Sequence, residues 1–130
     1  MRGFGQRMHA ISADLSHLRE ARQFADNAAA EFGLDLEERY LVKLAMSEAV
    51  TNAIQHGSSS SSDPVRLAAV EEGGALVFYV TDTGRFRPRM APRGHLPERG
   101  RGLDFLRHLM DEVDVRPRRN GTLLRFAKRR

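Results

Sequence analysis

Three polar side chains at helical spacing are the part of this sequence that is best suited to chemistry. Glu48, Asn52 and His56 stand four residues apart in the segment EAVTNAIQHG, and steps of four place side chains in one row on a helix. The row combines a carboxylate, a carboxamide and an imidazole. Because burying an unpaired polar group costs free energy, a core-facing helix keeps such a row only when something polar lies opposite. A nucleotide phosphate with its magnesium ion is a partner of that kind.

Glu48 and Asn52 form a pair that suits metal-assisted phosphoryl transfer. The neutral amide oxygen of Asn52 suits a hard cation such as magnesium, which keeps most of its waters. Glu48, one turn earlier, can accept a proton from an attacking hydroxyl or water. The alternative is a polar helix face at a solvent edge. Leu41, Leu44 and Ala45 argue against that alternative, because they share the spacing and belong to the predicted buried stripe.

Three short segments further along the chain are each ambiguous alone. Asp82-Thr83-Gly84 follows a predicted strand, where a carboxylate can accept a hydrogen bond from an adenine amino group and glycine permits close approach; it also fits an ordinary turn. Gly100-Arg101-Gly102 opens a predicted helix, whose free amides favour phosphate or simply need capping. Arg99 and Arg101 would add charge-assisted hydrogen bonds to phosphate. Gly121-Thr122 lies on the last predicted hairpin, where the hydroxyl would join an adenine site.

The composition excludes several classes of protein. The 130 residues are enough for one domain with a real core. The chain has no cysteine, and therefore neither a disulfide framework nor a thiolate metal site. No apolar run approaches the ~20 residues of a membrane span, and residues 1–11 lack the apolar stretch of a signal peptide. We therefore expect one domain over residues 1–130, located in the cytoplasm and without a membrane partner.

The charge of the chain points to an anionic partner. The net charge is +4 and the pI is about 10.3. Nucleic acid is not the expected partner, because the chain has no Trp, no aromatic stacking stripe and no helix-turn-helix spacing. The arginines fall into two groups instead. One lies in the segment 85–101, where phosphate binding competes with simple solvation, and the other forms a C-terminal tail that we expect to be solvated.

Periodicity and turn signals predict the elements that position these residues. Prolines and Gly94 argue against a regular element between residues 85 and 99. The predicted elements are strand 7–12, helix Leu15 to Phe32, helix from the Asp35 cap to about Gln55, strands 64–71 and 75–81 joined at Gly73-Gly74, loop 85–99, helix Gly100 to Met110, and strands around 113–115 and 122–127.

This order predicts an α+β fold, a two-layer sandwich with helices on one face of a mixed, mostly antiparallel sheet. The second helix should carry the functional row on its buried face. The inward residues that we expect there are Leu41, Leu44, Ala45, Glu48, Ala49, Asn52, Ala53 and His56.

Taken in order, these motifs resemble those of the GHKL ATPase and kinase superfamily, whose members share the Bergerat ATP-binding fold. Within it, the chain looks like the small anti-sigma-factor serine kinases of bacterial stress and sporulation control. The ten residues from Glu48 match their N-box, and Asp82 to Gly84 match the first glycine box. Residues 100–113 match the second box with its helix, and Gly121-Thr122 match the closing element. The resemblance spans about residues 7–128.

The resemblance implies a role for each matching residue. Glu48 would be the general base toward a serine hydroxyl, and Asn52 would hold Mg²⁺. Asp82 would read the adenine, and the loop 85–99 would be the ATP lid. For His56 we expect packing or hydrogen bonding rather than catalysis. The implied ATP contacts come from Asn52, Asp82, Gly84, Gly100, Arg101, Gly102, Leu103 and Thr122.

The resemblance also implies a function in transcription regulation. The cofactors would be ATP and Mg²⁺, and the phospho-acceptor would be a serine of an anti-sigma-factor antagonist protein. The chain would also sequester a sigma factor, often as a homodimer. The alternative is an ATP-binding interaction module or switch regulator without phosphotransfer. The chain departs from the family pattern at Arg85-Phe86-Arg87-Pro88, where many relatives carry another glycine. The resemblance therefore does not determine the conformation of the lid.

Overall fold

A computed structural model describes residues 4–57, 64–82, 96–119 and 121–130, with backbone alone for residues 56, 57 and 96–102. A 3₁₀ turn (Leu15–His17) leads into the first helix, and a π-helical segment (Ala53–Gly57) continues the second. The elements are β1 (Arg7–Ser12), α1 (Leu18–Phe32), α2 (Leu36–Asn52), β2 (Pro64–Glu72), β3 (Ala75–Asp82), α3 (Leu96–Leu109), β4 (Glu112–Arg118) and β5 (Gly121–Arg129).

The five strands form one sheet in the order β1-β2-β3-β5-β4. The predicted α+β sandwich is confirmed. All four pairings among the described strands are antiparallel. These strands therefore form an antiparallel sheet, whereas we expected a mixed, mostly antiparallel one. The Gly73-Gly74 turn between β2 and β3 is also confirmed; both residues have positive φ, 57° and 82°, as a two-residue hairpin turn requires. No helix in the described ranges is long and apolar enough to cross a membrane.

The main core lies between the helices and one face of the sheet. Phe78 and Phe126 are register partners at its centre, and their rings stack with centroids 5.2 Å apart. A smaller apolar cluster of Ala75, Val77 and Ala127 lies on the other face. The strand residues of the main core include Val65, Leu67, Ala69, Leu76, Phe78, Val80, Leu124 and Phe126.

The boundary between α1 and α2 follows from local sequence signals. Gly33 ends α1 with φ 100°, which glycine adopts without a Cβ penalty. Asp35 and Glu38 then form the predicted capping box, with the Glu38 N–H donating to Asp35 over 2.8 Å and the Asp35 N–H donating to Glu38 over 3.1 Å. Arg39 of α2 donates to both carboxylate oxygens of Asp26 on α1, at 2.9 and 3.0 Å. The two helices are therefore joined by a polar contact beside their apolar one.

Two sequence predictions about the helices are wrong in detail. The third helix begins at Leu96 and not at Gly100, because Pro97 lies in the first turn, where a proline removes no intrahelical hydrogen bond. The buried face of α2 is also displaced around the helix from the predicted stripe, because Leu41 and Leu44 are only half-buried. Val42, Met46 and Val50 are fully buried, because α2 packs against both neighbouring helices as well as the sheet.

The ion pair between Asp26 and Arg39 predicts a pH-dependent stability. The Arg39 guanidinium lowers the pKa of Asp26 below its ordinary value of 3.8, so the folded state favours the ionised carboxylate more than the unfolded state does. The stabilisation of the folded state by ionised Asp26 is complete above the pKa that Asp26 has in the unfolded chain. It is lost as the pH falls through the lower pKa that Asp26 has in the folded chain. We expect Asp26→Asn to lower the free energy of unfolding at pH 7, and the difference from wild type to vanish toward pH 2.

Urea denaturation between pH 7 and pH 2 measures this difference. Asp104→Asn is the matched control, because Asp104 is exposed on α3. Equal stability of the Asp26→Asn and wild-type chains at pH 7 would show that the pair contributes nothing measurable.

Candidate functional site

The carboxylate of Asp82 lies at the end of the helix-facing side of the sheet. Asp82 ends β3 and is 4% exposed, and within the part of the chain that the structure describes it is the one buried charged side chain. It lies opposite Thr122 on β5. Side chains alternate along a strand, so Asp82 shares its face with Phe78 and Val80, and Thr122 shares that face across the pair. The structure thus brings together two predicted adenine contacts that are far apart in the sequence.

Gly121 makes this end of the sheet possible. Its φ is 144°, a backbone conformation that residues with a Cβ rarely adopt. A Cβ at this position would lie 2.0 Å from the backbone oxygen of Asp82 and 3.0 Å from its Oδ1. The sequence suggested a turn residue here, whereas the structure shows a close approach between two strands. The absence of a side chain at Gly121 therefore sets the distance between β5 and Asp82.

Glu48 and Asn52 lie on the second helix of the layer that covers the sheet. Both are half-buried and one turn apart on the C-terminal half of α2. The π-helical segment that follows Asn52 contacts β3 and β5. The end of α2 that carries Glu48 and Asn52 is therefore continued by a segment that contacts the two strands bearing Asp82 and Thr122.

The π-helical segment is a feature that the sequence did not reveal. The second helix was predicted to continue to about Gln55, but its α-helical part ends at Asn52. The Ala53 N–H bonds to the carbonyls of both Ala49 and Val50. A π turn winds with i→i+5 bonds and is frequent at functional sites. A step of four residues beyond Asn52 is thus no longer one α-helical turn, so the predicted row does not extend regularly to His56, whose side chain lies outside the described residues.

The predicted phosphate-binding segment starts within a helix and not at its beginning. The unpaired amides of a helix belong to its first four residues, which here are 96–99. Gly100, Arg101 and Gly102 follow them along α3, and their side chains lie outside the described residues. Leu103 packs partly buried against the core, and α3 contacts α2. The predicted contacts at Gly84 and in the loop 85–95 also lie outside the described residues.

The chemistry of these donors fits a nucleotide with its metal. A buried carboxylate beside a threonine hydroxyl can pair with the amino edge of adenine. Magnesium bound beside a nucleotide takes one or two protein oxygens and completes its shell with phosphates and water. The half-buried amide of Asn52 can supply such an oxygen, and Glu48 stands one turn away.

Replacing Gly121 tests whether the close approach to Asp82 holds this end of the sheet. We expect Gly121→Ala to lower the free energy of unfolding by about 2 kcal/mol or more, because the new Cβ meets backbone that cannot move aside and φ becomes strained. Gly74→Ala is the matched control, because its φ is also positive, 82°, but nothing lies within 4 Å of the added Cβ. Urea denaturation of both variants separates the steric clash of the new Cβ from the backbone strain at positive φ. Equal losses of unfolding free energy in the two variants would contradict the close approach between Gly121 and Asp82.

Comparison with known proteins adds independent information. The model of the family described as "Histidine kinase-like ATPase domain" matches residues 11–128. An anti-sigma F factor of Clostridium acetobutylicum is 35% identical over 103 residues, covering 73% of this chain and 72% of that protein. An anti-sigma F factor of Pasteuria penetrans is 34% identical over 125 residues, covering 85% of this chain and 83% of that protein.

Solved structures show the same fold. The structure of the RsbU and RsbW domains of Rv1364c from Mycobacterium tuberculosis superposes with a TM-score of 0.74 at 23% identity. The match covers 96% of this chain and 32% of that longer protein.

Proposed function

We propose that this chain, which belongs to the family of histidine kinase-like ATPase domains, is an ATP-dependent protein-serine kinase that also sequesters a sigma factor. The observation that carries the proposal is the position of Glu48 one turn before Asn52, at the end of α2 whose continuation contacts the strands of Asp82 and Thr122. A carboxylate beside a metal-binding amide suits transfer of a phosphoryl group to a hydroxyl. The names of the relatives, anti-sigma F factors, support the regulatory part of the proposal.

The nucleotide-binding residues divide between sheet and helix. Asp82 accepts a hydrogen bond from the adenine amino group, with Gly84 and Thr122 beside it. Asn52 supplies an oxygen to Mg²⁺. Four residues of α3 complete the set on the phosphate side, namely Gly100, Arg101, Gly102 and Leu103, and residues 85–95, which precede α3, would act as a lid over the site. These roles rest on the resemblance, on the pairing of Asp82 with Thr122 and on the contact of the segment after Asn52 with β3 and β5.

Transfer requires one proton acceptor, and Glu48 is the residue proposed for it. ATP would supply the γ-phosphoryl group, and Mg²⁺ held by Asn52 would neutralise part of the phosphate charge. Glu48 accepts the proton of the partner's serine hydroxyl as the new oxygen–phosphorus bond forms and the bond to ADP breaks. The half-buried position of Glu48 restricts water on one side of the carboxylate. The chain's own contribution is therefore positioning and proton transfer.

The proposed partners are proteins. The phospho-acceptor is a serine of an anti-sigma-factor antagonist, and the second partner is a sigma factor bound by a homodimer of this chain. We propose that residues 1–130 act as one ATP-binding domain in the cytoplasm, without direct contact to nucleic acid. The alternative is an interaction module that binds ATP but transfers nothing. The printed name of the relatives, anti-sigma F factor, is compatible with this alternative because it does not mention phosphotransfer.

Loss of the Asp82 carboxylate tests the nucleotide pocket. We expect wild-type protein to bind Mg·ADP at one site, and Asp82→Asn to bind it at least ~10-fold more weakly, because a hydrogen bond to a charged group contributes about 1.5–3 kcal/mol. Calorimetric titration measures both affinities, and circular dichroism confirms that the variant is folded. Asp111→Asn, on an exposed residue, is the control. Undiminished binding by a folded Asp82→Asn variant would remove Asp82 from the site.

Loss of the Glu48 carboxylate separates catalysis from binding. We expect Glu48→Gln to slow transfer of labelled γ-phosphate to a co-purified antagonist protein by about 10²–10⁴-fold, the usual contribution of a general base. The affinity for Mg·ADP should stay within about twofold of wild type, because the proposed contacts of Glu48 are to the serine. Glu37→Gln, exposed in the first turn of α2, is the matched control.

The result of this comparison decides between the two functions. Transfer by Glu48→Gln at the wild-type rate would show that another group accepts the proton. Nucleotide binding by the wild type without transfer to any co-purified protein would favour the interaction module.

A further inference from the structure

An apolar row runs along the surface of α2 toward the proposed catalytic residue. Leu36 is 76% exposed and Tyr40 is 58% exposed, and Leu44 is half-buried. Steps of four residues join these three side chains (the α2 row) to Glu48. Large apolar side chains of a helix usually face the core, and α2 already buries five other residues there. The core therefore does not account for Leu36 and Tyr40.

The α2 row lies on the side of the helix that faces away from the core. At about 100° per residue, the row and Glu48 all lie more than about 90° around the helix from the middle of the buried set. At about 1.5 Å per residue along the axis, Tyr40 lies about 12 Å and Leu36 about 18 Å from Glu48. A molecule that lies along this side of α2 can therefore contact the row and reach Glu48 at the same time.

A protein substrate has the size that such contact requires. A specific protein–protein interface buries about 800 Å² on each partner, which is a patch of about 16 Å radius. A protein that brings its serine to Glu48 therefore covers the surface of α2 as far as Tyr40 and the neighbourhood of Leu36. We propose that the α2 row is the docking surface for the antagonist protein whose serine is phosphorylated. The proposal rests on the proposed kinase function and assigns the surface that recognises its substrate.

Polar side chains border the row on the side of α1. Arg39 forms an ion pair with Asp26 of α1 at 2.9 Å, and Arg22 of α1 donates to Ser47 over 3.3 Å. An apolar centre with a polar rim is the usual composition of an interface, and tyrosine is enriched among the residues that contribute most to binding. Because the Arg39 charge is balanced within the chain, the substrate meets the row with apolar surface. The docking partner is thus a protein with an apolar patch about 12–18 Å from its acceptor serine.

Steady-state phosphotransfer kinetics test this surface. The probe is the protein that accepts labelled γ-phosphate from the wild type in the Glu48→Gln comparison. We expect the double variant Leu36→Ala and Tyr40→Ala to raise KM for this protein about tenfold or more, because apolar docking contacts are lost. Its kcat and its affinity for Mg·ADP should stay within about twofold, because the row contacts neither the nucleotide nor the reacting atoms. Alanine favours the helix, and circular dichroism confirms that the variant is folded.

Two single variants control for the loss of surface. Tyr40→Phe keeps the apolar ring and should leave KM within about twofold of wild type. Arg116→Ala shortens a side chain on β4 that is 68% exposed, and it should also leave KM within about twofold. A rise in KM that is confined to the double variant would therefore report lost apolar contact at the α2 row.

The outcomes separate the docking surface from the proposed function. An unchanged KM in the folded double variant would overturn the docking surface and leave the kinase intact. A lower kcat at unchanged KM would also overturn it, because the row would then act on the chemical step. If KM is unchanged but the sigma factor or the second copy of the chain binds more weakly, the row belongs to that partner and the proposal is wrong. Absence of any labelled acceptor with the wild type would overturn both the kinase and its docking surface.

Discussion

The contact between the backbone of Gly121 and Asp82 is the constraint on which the candidate site depends. It draws the start of β5 against the end of β3, so that Thr122 lies opposite a buried carboxylate. The same register places Phe126 on Phe78 further along the two strands, where their rings stack in the core. One pairing thus supplies both the apolar centre of the sheet and the polar end of its helix-facing side.

The second wall of the site depends on how α2 is held. This helix packs on the core with the buried side chains Val42, Ala45, Met46, Ala49 and Val50, and it contacts α1 and α3. Asp26 and Arg39 join it to α1 near its beginning, and the capping box at Asp35 determines where it starts. Glu48 and Asn52 are therefore carried on a helix that is positioned at both ends, since its π-helical continuation rests on β3 and β5.

The residues proposed for the nucleotide are carried by part of the sheet and by the helices that cover it. Asp82 and Thr122 belong to β3 and β5, whereas the edge strand β1 is separated from β3 by β2. The proposed site therefore depends on the pairing of β3 with β5 and on the helical layer, and not on the outer strand β1.

The sequence by itself determined most of the secondary-structure elements, because caps, turns and periodicity act between neighbouring residues. The order of its motifs also determined the family. The Asp35 capping box, the Gly73-Gly74 turn and the core face of β3 with Leu76, Phe78 and Val80 could all be predicted in this way. The spacing of Glu48 and Asn52 is equally local. The tertiary structure decided the start of α3 at Leu96, the π-helical segment after Asn52 and the approach of Gly121 to Asp82. These features arise from packing between segments far apart in the chain, and no local pattern records which distant backbone will lie against a given residue.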